Sequence, residues 1–195
     1  ASVAPVLIGG ALGFATFDEH DINISGTFVS IFIAALIVSI ALQVGVNYAN
    51  DYSDGKKGTD DVRVGPMRLV GSGTASAKSV FIAMLISFAI AGLAGIYVAS
   101  QSSWWMILVG AVCIALAYLY TGTKFAYGYF GFGELVVFIC FGLVATAGTY
   151  FVLTNQVTLI LIVASFIPGL FSVAILLANN IRDIDSDRES NKKTL

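Results

Sequence analysis

Charge is scarce in this sequence: Asp, Glu, Lys and Arg make up 11% of its 195 residues, against about 25% in a typical soluble domain. With 57% of residues hydrophobic and a mean hydropathy of +0.88, the chain lacks the polar surface to coat itself in water. Histidine occurs once and cysteine twice, and both Cys113 and Cys140 fall inside apolar runs. That excludes a disulfide scaffold and leaves no ligand set for zinc or copper. Only three prolines, and twenty glycines without a triplet period, exclude a collagen-like chain, and the apolar content excludes disorder.

What is abundant is hydrophobic sequence in lengths that suit a bilayer. A membrane helix needs about 20 largely apolar residues to cross about 30 Å of hydrocarbon. Six such runs are present, at residues 1–17, 27–49, 79–99, 104–122, 132–153 and 157–178, and Glu134 is the one acid or base inside them. The first, short and without Met or a basic flank, reads as a clipped helix in preference to a signal peptide. Pro168 is expected to kink the sixth. All ten basic residues fall after the second, fourth and sixth runs and none after the first, third or fifth. This alternation is the positive-inside pattern, which predicts that the even-numbered loops face the cytoplasm.

Two of those loops open on acidic clusters. Asn47, Asn50, Asp51 and Asp54 follow the second run at i, i+3, i+4 and i+7, so a helix continuing past the membrane edge would carry all four on one side. Asp60 and Asp61 come next. The sixth run ends in Asn179, Asn180, Asp183 and Asp187, where 179, 183 and 187 repeat at i+4 and Asp185 points elsewhere. Amides and carboxylates are hard oxygen ligands suited to Mg²⁺, Mn²⁺ or Ca²⁺. An EF-hand is rejected, because Arg188 stands where its turn glycine belongs and Thr194 where its bidentate Glu belongs. Bases are interleaved with these acids: Lys57, Arg63, Arg68, Arg182 and Lys192. Acids that hold metal, bordered by bases that hold phosphate oxygens, are the parts of a metal-bridged diphosphate site.

Four words carry a resemblance: NYANDYSDGKKGTD from Asn47, RVGPMRL from Arg63, YTG with GYFGFGELVVFICFG between Tyr120 and Gly142, and NNIRDIDSDRESNKKTL from Asn179. They resemble the UbiA superfamily of membrane prenyltransferases, and within it the enzymes that prenylate 1,4-dihydroxy-2-naphthoate in menaquinone biosynthesis. The resemblance implies an all-α, polytopic transmembrane helical bundle. Residues 1–195 would form one prenyltransferase domain holding six spans of a nine-helix bundle, its C-terminal helices lying beyond this sequence. It implies Mg²⁺ as cofactor, a polyprenyl diphosphate and an aromatic acceptor as substrates, the lipid bilayer as surroundings and no nucleic-acid partner. The location implied is a bacterial cytoplasmic membrane, with the active site facing the cytoplasm.

By the same resemblance, Asn50, Asp51, Asp54, Asp60, Asp183 and Asp187 would hold the metal, with Asp51, Asp54, Asp183 and Asp187 catalytic. Lys57, Arg63, Arg68, Lys124, Arg182 and Lys192 would bind diphosphate, and Asn47, Asn180 and Tyr120 the substrates. Tyr48, Tyr52, Tyr118 and Tyr120 lie at a depth from which an aromatic face could stabilise an allylic cation, although tyrosines also collect at membrane interfaces for their own reasons. The GSG at 71–73 reads as a plain turn in preference to a lid. Here the sequence departs from many superfamily members, which carry an acid at the position of Gly58. Two alternatives stay open: a related enzyme with another aromatic acceptor, and a divalent-cation transporter.

Overall fold

A computed structural model describes residues 1–16, 26–58, 66–121 and 127–184. Among them are six helices: α1 (Val3–Phe14), α2 (Gly26–Lys57), α3 (Ala77–Gln101), α4 (Trp105–Thr121), α5 (Gly133–Thr154) and α6 (Leu159–Arg182). A single 3₁₀ turn, Tyr127–Tyr129, precedes α5. No strand occurs among the described residues. Helices α2, α3, α5 and α6 are long and apolar enough to cross a membrane, while α1 and α4 are shorter apolar helices of 12 and 17 residues.

Starts and stops follow local chemistry. Ser76 and Thr158 cap α3 and α6, their hydroxyls accepting from the amides of Ser79 and Leu161 at 3.1 and 3.2 Å. Asn155 closes α5 in the left-handed region at φ 55°, a conformation asparagine tolerates better than most residues. Pro168 lies inside α6, and the helix runs on through it to Arg182. Within α5, Phe138–Ala147 is wound as a π-helix, a winding that tends to mark functional sites.

The packing inverts that of a soluble protein. On α6 the buried positions include Ser165, Gly169 and Ser172, whereas Leu159, Ile160, Val163, Leu170 and Phe171 are exposed. Small residues inside let helices approach closely, and large apolar ones outside suit lipid tails. A Cβ added at Gly142 of α5 would come within 2.8 Å of the Ser165 carbonyl oxygen and 2.9 Å of Gly169 Cα on α6. In the same way Gly9 of α1 lies directly against the Thr146 carbonyl of α5. Helices α2 and α3 pack along each other, α6 packs on α5, and α1 touches α2, α5 and α6. Between these groups the bundle is open inside.

Candidate active site

A cavity of about 620 Å³ occupies that opening. Most of its wall is apolar, including Val38, Leu42 and Val46 from α2, Ile114 from α4, and Phe141 and Val144 from the π-wound part of α5. Polar residues gather from the C-terminal ends of α2 and α6. Helix α2 continues eight residues past the expected membrane edge at 49, which carries Asn50 and Asp54 onto the wall beside Asn47. Helix α6 likewise continues past 178 and supplies Asn179 and Asn180, with Asp183 at its C-cap. Arg68 comes from the loop after α2, and Tyr120 from the end of α4. The two acid-and-amide clusters, more than a hundred residues apart in sequence, thus share one cavity.

Asp51 departs from the sequence expectation. It is buried at 5% exposure but does not line the cavity. Its two carboxylate oxygens accept from the backbone amides of Leu69 and Val70 at 2.9 and 3.0 Å. The physical reason is the loop that crosses beside α2: Asp51 sits at one edge of the arc shared by Asn47, Asn50 and Asp54, where the Leu69 and Val70 amides claim its carboxylate. Gly55, one turn further on, lies against that loop too: a Cβ there would sit 2.6 Å from Val70 Cβ. The loop closes on itself through Ser72 N to Arg68 O at 3.0 Å and Ala75 N to Leu69 O at 2.9 Å, and Gly73 takes φ +72°. The GSG segment is therefore a turn, and Asp51 anchors the strip of backbone that delivers Arg68 to the cavity.

Two further expected groups do not line the cavity. Lys57 is exposed at the end of α2. Arg182 grips its neighbour Asp183 in a bidentate pair, Nε to Oδ1 at 2.7 Å and a terminal NH₂ to Oδ2 at 2.8 Å. Asp60, Arg63, Lys124, Asp187 and Lys192 lie outside the described residues. Of the four tyrosines considered as cation stabilisers, Tyr120 alone lines the cavity. Its ring meets Tyr127 edge-on at 5.4 Å, and the Tyr127 hydroxyl donates to the Leu116 carbonyl at 2.9 Å. Tyr52 packs instead on Phe81, with Lys56 Nζ above its ring.

Sequence reasoning passed over two further groups, one on the cavity wall and one behind a wall residue. Gln43 lines the wall one turn before Asn47, and its Oε1 is buried without a hydrogen-bond partner. Glu134, at 7% exposure, accepts from Asn180 Nδ2 at 2.7 Å. A lone acid in an apolar run was the available signal, because burying a carboxylate in a membrane span is costly and needs a reason.

The donor set fits a hard divalent cation. Asp54 and Asp183 with the amides of Asn50 and Asn179 offer oxygen only, and no group of three or more His, Cys, Asp or Glu able to hold a metal occurs among the described residues. Mg²⁺ is commonly bound by one or two carboxylates together with substrate phosphates, in contrast to an all-protein cage. The arrangement here is of that kind.

Comparison with known proteins decides the family. The UbiA prenyltransferase family matches residues 2–195. The chain belongs to the UbiA prenyltransferase family. It is 51% identical over 161 residues to a 1,4-dihydroxy-2-naphthoate octaprenyltransferase of Mycobacterium leprae, covering 83% of this chain and 55% of that protein. To the Bacillus subtilis protein of the same name it is 35% identical over 196 residues, 100% of this chain and 60% of the relative. A 2-carboxy-1,4-naphthoquinone phytyltransferase of Synechocystis is 29% identical, covering 99% of this chain and 60% of the relative. This UbiA chain thus spans little more than half the length of these relatives. No solved structure matches it.

Proposed function

We propose that the protein transfers a polyprenyl group from an allylic diphosphate to 1,4-dihydroxy-2-naphthoate, in a Mg²⁺-dependent step of menaquinone biosynthesis. In this reading residues 1–195 are part of a single prenyltransferase domain in a bacterial cytoplasmic membrane, with the site facing the cytoplasm. The observation that carries it is the meeting of Asn50 and Asp54 with Asn179 and Asp183 at an apolar-walled cavity beside Arg68. Each buried CH₂ of an isoprenoid is worth about 0.8 kcal/mol, so an isoprenoid donor stays in the bilayer and its diphosphate must be met at the membrane edge. A cavity with aliphatic walls and its carboxylates, amides and arginine at the helix ends suits such a molecule.

Asp54 and Asp183, with Asn50 and Asn179, would hold Mg²⁺, Asp183 exchanging its exposed Arg182 partner for the cation, which supplies charge neutralisation of the diphosphate leaving group. Arg68 donates hydrogen bonds to the diphosphate oxygens, and its Asp51-anchored loop fixes where that guanidinium stands. As the carbon–oxygen bond of the allylic diphosphate breaks, the bonding electrons leave with the diphosphate. The resulting cation faces Tyr120, whose ring can contribute about 0.5–2 kcal/mol. Attack by the ring carbon bearing the carboxylate, followed by loss of CO₂, completes the transfer. Asp60, Asp187, Arg63, Lys124 and Lys192 remain candidates on sequence grounds for further metal and diphosphate contacts.

The names of the relatives favour a bicyclic naphthoate or carboxynaphthoquinone acceptor, joined to an octaprenyl tail in some and a phytyl tail in another. The test is to incubate membranes carrying the full-length protein with radiolabelled polyprenyl diphosphate, Mg²⁺ and a panel of aromatic acids. Label should appear in a decarboxylated prenyl-naphthol product and not with 4-hydroxybenzoate or homogentisate. Preferential labelling of either of those would replace the acceptor.

A further inference from the structure

Glu134 is the buried acid that the scheme above leaves without a task. Its residue is 7% exposed, Oε1 accepts from Asn180 Nδ2 at 2.7 Å, and Oε2 is buried without a hydrogen-bond partner. Asn180 is itself 6% exposed and lines the cavity. The residue before Glu134, Gly133, is in contact with the ring of Tyr120, where an added Cβ would stand 3.1 Å from the ring carbon Cε2. Asn180 and Tyr120 therefore both line the cavity, and Glu134 stands behind Asn180, next in sequence to the glycine that faces the Tyr120 ring.

We propose that Glu134 is a positioning residue for the aromatic acceptor: its carboxylate holds the Asn180 amide with the NH₂ turned toward α5 and the carbonyl oxygen presented to the cavity, where that oxygen accepts a hydrogen bond from a ring hydroxyl of the acceptor. The inference rests on the prenyl-transfer reading. Oε1 accepts from the Asn180 NH₂, so it selects one end of an amide whose two ends are otherwise nearly alike in shape. Water cannot substitute, because both partners are more than nine-tenths buried. A site built to hydrogen-bond a substrate hydroxyl discriminates strongly against a ring that lacks it. The cost of keeping Glu134 in an apolar span, one of its oxygens unsatisfied, is explained if the carboxylate sets acceptor recognition.

The test uses full-length protein and steady-state kinetics with each substrate varied in turn. Glu134→Leu should raise the KM for dihydroxynaphthoate at least tenfold, while the KM for prenyl diphosphate and the Mg²⁺ half-saturation stay within twofold. Glu134→Gln, which still offers an acceptor oxygen, should recover part of that loss. An unchanged acceptor KM in Glu134→Leu, or an equal rise in both KM values, overturns the proposal. If Glu134→Leu does not insert, Asn180→Leu and Glu134→Gln carry the test together: the first removes the amide and should raise the acceptor KM at least tenfold with the prenyl diphosphate KM within twofold, and the second should raise the same acceptor KM by a smaller factor. An unchanged acceptor KM in both overturns the assignment. Wild-type protein that transfers to no acceptor in this assay overturns the prenyl-transfer reading itself, whereas an active wild type beside unchanged variants overturns this inference alone.

Discussion

Asp51 and Asp54 are three residues apart on one helix and perform different tasks. Asp54 lines the cavity, while Asp51 spends both oxygens on the amides of Leu69 and Val70. Asp54→Asn should lower the transfer rate and raise the Mg²⁺ concentration needed for half-activity, leaving hydrogen exchange in the 66–73 loop unchanged. In Asp51→Asn one loop amide instead faces an NH₂ group, at a cost of about 1–3 kcal/mol. That variant should lose exchange protection in the loop and lose rate through a displaced Arg68, with its Mg²⁺ requirement unchanged. The same loop protection in both variants would remove the distinction. Spacing alone made Asn47, Asn50, Asp54, Asn179 and Asp183 legible as one site, because helical phase is written in the sequence. It grouped Asp51 with them because the amides that claim it belong to a loop whose path no spacing reveals. Glu134 escaped for a related reason: it has no acidic neighbour at helical spacing, and its partner lies 46 residues away.

At the scale of the helices, close approach through glycine holds the bundle together. A methyl group at Gly142 would press on backbone atoms of α6, namely Ser165 O and Gly169 Cα, and backbone cannot swing aside as a side chain can. Gly142→Ala should therefore destabilise the protein by about 1–3 kcal/mol, whereas Gly92→Ala, with nothing within 4 Å of the new methyl, should be neutral. Thermal unfolding in detergent followed by circular dichroism checks this, and equal midpoints for the two variants would contradict the packing. The positions of the helices were legible from apolar length. Their ends were less so, because α2 and α6 outrun their apolar stretches to carry the polar words onto the cavity wall. The π-winding of Phe138–Ala147 left no mark in the hydrophobic pattern, since all but Thr146 of the segment is apolar or glycine and no period stands out.

At the scale of the whole molecule, the placement of all ten bases after even-numbered runs predicts a cytoplasmic position for both acid-bearing helix ends. In a background without Cys113 and Cys140, a cysteine at Lys57 should react with an impermeant reagent from the cytoplasmic side and one at His20 from the opposite side. Labelling of both from one side would contradict the topology. The central claim is that carboxylates from two distant helices act together on one diphosphate through a divalent cation. Its most direct measurement is transfer of radiolabel from polyprenyl diphosphate to dihydroxynaphthoate by the full-length protein, before and after EDTA and on adding back Mg²⁺. We expect activity to vanish in chelator, to return with Mg²⁺, and to be lost in both Asp54→Asn and Asp183→Asn although each inserts normally. Full activity in EDTA, or in either variant, would contradict the account.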